Sequence, residues 1–114
     1  MNALVLNRAD LPFDGSTYEF VGAEYADTQV SFIWVDMPPG GRVRLHRHPY
    51  AEIFIIQAGT ATYTVGEERL TAQAGQIVIV PAGAPHKFSN TGSEPLRQID
   101  IHQSPRYITE WLED

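Results

Sequence analysis

The sequence contains no cysteine. That excludes disulfide staples, thiolate metal sites, iron–sulfur clusters and cysteine nucleophiles. Lysine is nearly absent: Lys87 stands alone, and every other cationic side chain is an arginine. Against 14 Asp and Glu, the 8 Lys and Arg leave a formal net charge of −6. Phosphate binding needs a basic face, so nucleic acid is excluded as a partner. No apolar run approaches the ~18 residues that span a bilayer, so a membrane is not expected either. Met1 to Leu6 lacks the charged start of a secretory signal, and its apolar run stops at Asn7 and Arg8. A cytoplasmic location is the expectation. Helical periodicity is missing as well.

What is present is 114 residues, 43% of them hydrophobic. That length fits one domain spanning 1–114. Area scaling gives a folded surface of roughly 6,200 Å² against roughly 18,400 Å² unfolded, enough burial for one core without staples. Prolines and glycines separate short β-like runs, the pattern of an all-β sandwich or barrel. The runs are Gln29–Asp36, Arg42–His48, Glu52–Ala58, Thr60–Val65, Arg69–Thr71, Ile77–Val80, His86–Asn90 and Leu96–His102. Gly66-Glu67 suits a type II′ hairpin turn between two of them. Thr109–Glu113 reads as a helical turn or an edge segment. Gln29–Asp36 is apolar on both faces and should be covered on both.

Four histidines are present. His46 and His48, one residue apart on a strand, share a face at a spacing of roughly 6.6 Å and can converge on one cation. Glu52 opens the next strand and can close a third corner. His86 reaches the same point only if the sheet closes around it. Strict alternation would also place Arg42 and Arg44 on the face of His46 and His48.

Two spacings carry more. The first is Gly40, five residues, His46, one residue, His48, three residues, Glu52, six residues, Gly59. The second is Gly75, five residues, Pro81, one residue, Gly83, two residues, His86, three residues, Asn90. At every defining position they resemble the two cupin motifs, here at 40–59 and 75–90, with residues 103–114 as a C-terminal tail. The resemblance is to small single-domain cupins of the conserved-barrel type. It implies a double-stranded β-helix, or jelly-roll barrel, with one metal site inside. His46, His48, Glu52 and His86 map onto the four metal ligands, the glycines onto turns and Asn90 onto a structural position. It also implies a homodimer, through sheet packing or strand exchange involving Met1 to Leu6.

Three imidazoles and a carboxylate suit one divalent transition metal: Fe, Mn, Ni, Co, Cu or Zn. They would saturate a tetrahedral zinc, but in an octahedral ion they leave two adjacent positions for substrate, water or O₂. His102 shares its strand phase with Gln98 and Asp100. Facing the barrel interior it would serve as a general acid or base; facing outward it would be a surface residue. Arg44 could bind a carboxylate at the barrel mouth or pair with an acid as structure. Trp34, Phe54, Phe88 and Gln98 are candidate substrate contacts, with ordinary core as the other reading of the aromatics. Tyr50 could gate the mouth or cover it, and Tyr107 and Trp111 should dock the tail on the body or on a partner. The functional expectation is a metal-dependent enzyme on a small organic molecule, of dioxygenase, isomerase or cyclase type. The alternative is a non-catalytic small-ligand or metal-sensing module.

Overall fold

The computed structural model describes residues 2–114. Ten strands follow one another: β1 (Thr17–Phe20), β2 (Ser31–Met37), β3 (Arg42–Arg47), β4 (Glu52–Ala58), β5 (Thr60–Val65), β6 (Glu68–Gln73), β7 (Ile77–Val80), β8 (His86–Asn90), β9 (Leu96–His102) and β10 (Glu110–Trp111). They form two five-stranded sheets, in the orders β1-β2-β9-β4-β7 and β10-β3-β8-β5-β6, with every pairing antiparallel. This is the all-β jelly-roll barrel that the motif resemblance implied, within the sandwich-or-barrel class that the turn spacing suggested.

The expected runs at 52–58, 60–65, 77–80, 86–90 and 96–102 form strands with those ends. The first expected strand begins at Ser31 rather than Gln29 and continues to Met37. Both its faces are partly covered, as its two-sided apolar pattern requires. Strand β1 was not expected: its four residues, TYEF, are too few to show a period. The segment at 109–113 resolves as the edge strand β10 on β3, not a helical turn. Of the stretch expected to exchange strands, Met1 lies outside the described residues, and Asn2 to Leu6 forms no strand. Gly66 has φ 58° in the two-residue connection between Val65 and Glu68, as the hairpin reading requires.

Period-two alternation fills the barrel unevenly, and that sets up the site. On β9 the inward residues run His102, Asp100, Gln98, Leu96; on β4 they run Glu52, Phe54, Ile56. Glu52 pairs with His102, Phe54 with Asp100 and Ile56 with Gln98. One end of the interior is therefore polar and the other apolar. Phe54, Ile56, Tyr63 and Leu96 are each no more than 1% exposed and pack the apolar end with Phe88 and Met37.

The turn after β4 needs Gly59. Its φ is +87°, and an added Cβ would lie 2.7 Å from the Pro95 carbonyl oxygen. Gly59→Ala should cost about 2 kcal/mol in urea unfolding, from left-handed strain plus the clash. An unchanged midpoint would contradict this account of the turn.

Candidate metal centre

The site begins with an irregularity in β3. Val43 pairs with Phe88, but the next pair is His46 with His86, so β3 spends one more residue than β8. Such a bulge re-aims every side chain beyond it. Val43 and His46 both face the interior, whereas strict alternation would have put Arg44 beside His46. Arg44 is exposed, and its guanidinium lies 4.3 Å over the Trp111 ring. The expectation that Arg44 shares the histidine face is thus corrected by the bulge. The backbone groups freed at Leu45 are taken by the tail: its N–H donates to Glu113 at 2.8 Å, and its carbonyl accepts from Leu112 at 2.9 Å.

Beyond the bulge, His46 and His48 point inward and meet His86 and Glu52. One ligand atom from each of these four buried residues lies within 4.8 Å of the others. Each imidazole is fixed from behind. His46 Nδ1 lies 2.7 Å from the Arg44 carbonyl, His48 Nδ1 2.8 Å from that of Ile108, and His86 Nδ1 2.9 Å from that of Ala84. A carbonyl only accepts, so each Nδ1 carries the proton and each neutral ring turns an Nε2 lone pair to the centre. Glu52 Oε1 stands 3.1 Å from His48 Nε2 and 3.0 Å from His86 Nε2. Lone pairs facing a carboxylate at these distances repel unless a cation lies among them. His48 Nε2 is also buried with no hydrogen-bond partner among the described residues. The donor set therefore fits a divalent transition ion on the structure's own geometry.

Ionisation states agree. Burial lowers the His46 pKa to about 4, keeping the ring neutral near pH 7. Burial pushes the Glu52 carboxyl up, but the groups facing it, the His102 Nε2–H first among them, hold it well below its ordinary value.

His102 lies inside, 2% exposed. Its environment inverts that of the other three. The Tyr50 hydroxyl lies 2.6 Å from His102 Nδ1, and its oxygen also accepts the Ile108 N–H at 3.3 Å. His102 Nε2 faces Glu52 Oε2 at 3.1 Å, and a carboxylate only accepts, so the proton sits on Nε2 and the Tyr50 O–H donates to Nδ1. Tyr50 thus fixes a tautomer as well as covering the site. Burial raises its own hydroxyl to about 12.

Beside the centre is a cavity of about 350 Å³. Phe88 lines it; Trp34 does not. Trp34 lies on the outer face of β2, 5.3 Å beneath the Arg8 guanidinium, because Ile33 and Val35 hold the inward phase. Phe54 and Gln98 face inward but lie in the packed interior behind the cavity wall, where Gln98 bonds to Tyr63 and Asp100. The inward phase of Val43 and Ile33, and the β1 residues Thr17 and Glu19, were not anticipated. The bulge hides the first, and the weak period of TYEF the last.

A jelly-roll barrel with a three-histidine, one-carboxylate cluster beside a cavity defines the class. The chain belongs to the cupin domain family, whose model matches residues 33–102. The xanthan biosynthesis protein XanB of Xanthomonas campestris pv. campestris is 36% identical over 77 residues, which cover 67% of this chain and 16% of that protein. This chain is thus similar to a small part of that relative. The fold is similar to an oxalate decarboxylase of Lactobacillus farciminis, solved as a formate complex, with TM-score 0.78 and 25% identity, covering 91% of this chain and 34% of that one. An uncharacterized double-stranded β-helix protein from Klebsiella pneumoniae matches end to end, 99% of this chain and 100% of that one, at TM-score 0.76 and 18% identity. Among the described residues no helix is long and apolar enough to cross a membrane.

Proposed function

We propose that this chain is a metal-dependent enzyme acting on a small organic molecule that enters the cavity beside His46, His48, Glu52 and His86. One observation carries the reading: three buried Nε2 lone pairs and a carboxylate converge at the cavity wall, while a fourth histidine is held in the opposite tautomer. The bound ion would supply Lewis acidity, or oxygen activation if it is redox-active. The chain's own residues supply the rest. His102 lines the cavity and holds a proton on Nε2 beside Glu52, with Tyr50 on Nδ1 to fix the ring, and so is the group to pass a proton to a bound molecule. Phe88 and Val43 present an apolar wall. Dioxygenase, isomerase and cyclase reactions are the chemistries proposed for this set.

The test is elemental analysis of never-chelated protein with a His48→Ala control. About one Fe, Mn, Ni, Co or Cu per chain, lost in the variant, is the expected result. One zinc per chain would favour Lewis-acid chemistry over oxygen activation. No metal, and no uptake on addition, would overturn the reading. Saturable ligand binding by the loaded protein without turnover would favour the alternative, a sensing module.

The chain is also proposed to act as a homodimer. Ile53, Ile55, Ile77, Ile79, Ile99 and Ile101 form a continuous apolar patch on the outer face of the first sheet, joined by the pairs Ile53–Ile79, Ile55–Ile77, Ile53–Ile101 and Ile55–Ile99. Ile77 and Ile79 are 62% and 65% exposed on the unpaired edge strand. A second copy of the same face would cover this patch. Ile77→Glu/Ile79→Glu should sediment as a monomer where the parent sediments as a dimer. A monomeric parent would end the proposal.

A further inference from the structure

The walls of the cavity are one-sided in charge. Four carboxylates border it, Asp14, Glu19, Glu52 and Asp100, and among the described residues no lysine or arginine does. Arg44, the cation expected at the barrel mouth, is turned away onto Trp111, and Arg47 pairs outside with Glu110. Asp14 is exposed and Glu19 half-buried, so both stand toward solvent, while Asp100 is 3% exposed and lies inside. Even with a divalent ion present, Glu52 cancels one of its charges and the two outer carboxylates offset the other.

Asp100 is built for contact rather than left over. The Tyr63 hydroxyl donates to Gln98 Oε1, and Gln98 Nε2 then donates to Asp100 Oδ1 at 2.8 Å. Both orienting side chains are fully buried. The other oxygen, Oδ2, accepts no hydrogen bond among the described residues, and the side chain forms part of the cavity wall. A buried carboxyl with one oxygen clamped and the other free toward a cavity lacks a donor. Burial, and next the charge of Glu52, push its proton affinity up, which a ligand ammonium or hydroxyl would offset.

We propose that the cavity takes a small organic molecule of neutral or positive charge, with an amine or hydroxyl held by Asp100 and an apolar part packed on Val43, Phe88 and Trp111, and that it discriminates against carboxylates. This rests on the site proposed above but names its ligand class. It also separates this chain from the oxalate decarboxylase it resembles in fold, whose named substrate is a dianion. An anion here would meet carboxylates with no guanidinium or ammonium to replace its water.

The probes are tyramine, 4-ethylphenol and 4-hydroxyphenylacetate, which share a phenol and differ in charge. Each is titrated calorimetrically into Co(II)-loaded protein, whose visible spectrum reports loading, and into chelated protein. Tyramine and 4-ethylphenol should bind in both forms, with 4-hydroxyphenylacetate weaker than tyramine by about tenfold or more. Asp100→Asn should bring tyramine down to the affinity of 4-ethylphenol, and leave 4-ethylphenol within about twofold. Should that variant fail to fold, Glu19→Gln at the half-buried rim should narrow the gap between amine and acid. Equal or tighter binding of the acid would overturn the proposal, as would no binding of the amine and the neutral phenol at millimolar concentration. So would a tyramine preference that survives Asp100→Asn. Failure of Co(II) uptake would sink the metal reading alone, because the chelated protein still reports the charge order.

Discussion

Adding a slight excess of Co(II) or Zn(II) to chelated protein should raise its melting temperature by about 15 °C. An ion that binds the folded chain and not the unfolded one stabilises by RT ln(1 + [L]/Kd), about 4 kcal/mol at a thousandfold excess over Kd. For a domain of this size each kcal/mol moves the midpoint by roughly 4 °C. The expectation follows from the geometry of the centre. Three neutral rings are held in place by the Arg44, Ile108 and Ala84 carbonyls before any ion arrives, so little ordering opposes binding. Glu52 also gains, because its contacts with unprotonated Nε2 atoms change from repulsive to bridged. His48→Ala should abolish the shift, leaving the melting temperature of the variant indifferent to metal. A parent whose melting is unmoved by any of the transition ions would mean that the cluster is held together by protons instead.

The second large effect concerns acid. Chelated protein should lose stability as the pH falls from about 6.5 to about 4, on the order of 3 kcal/mol from His46 alone. His46 titrates at about 4 in the fold, because burial disfavours the charged ring, against 6.5 for the ordinary group. Between those values the unfolded chain binds a proton that the folded chain refuses, so stability rises with pH across the window. Glu52 acts in the same direction at lower pH. Its folded value is depressed, so its contribution is present above about 4.5 and is lost as the pH falls through the folded value. Urea unfolding at intervals between pH 4 and pH 7.5 measures the slope. A His46→Gln variant should show a flatter profile over the upper part of the window. A parent profile flat from pH 7.5 to pH 4.5 would show that His46 is not buried as described.

The same residues show why some of this molecule was readable from its sequence and some was not. His46, His48, Glu52 and His86 were legible because the spacings that place them are short, and each is counted from a glycine or proline that fixes a turn. Strands β4, β5, β7, β8 and β9 were legible because turn residues bound them tightly. Phase was harder. Arg44 was misplaced because a bulge leaves no mark in composition: the register shifts between Val43 and His46, where Arg44 and Leu45 are ordinary strand residues. Trp34 was misplaced because β2 is apolar on both faces, so its pattern cannot say which face is inside. His102 was left open for a related reason, since Ile99 and Ile101 make the outer face of β9 as apolar as an inner one. Its inward position depends on Glu52, with which it pairs across the sheet. Its tautomer depends on Tyr50 and on a tail backbone group remote in sequence. No local pattern encodes such partnerships.

The bulge in β3 has a consequence for how the strand tolerates a change of length. Val43 and His46 both face inward across an odd interval, and the bulge absorbs the odd residue. Deleting Arg44 or Leu45 would leave an even interval, which ordinary alternation spans with Val43 and His46 still facing inward. Val43 would stay opposite Phe88, and His46 opposite His86. What the deletion would take away is the irregular backbone at Leu45, to which Leu112 and Glu113 bind. The extra residue therefore serves the attachment of the tail, while the inward aim of the imidazoles outlasts its loss.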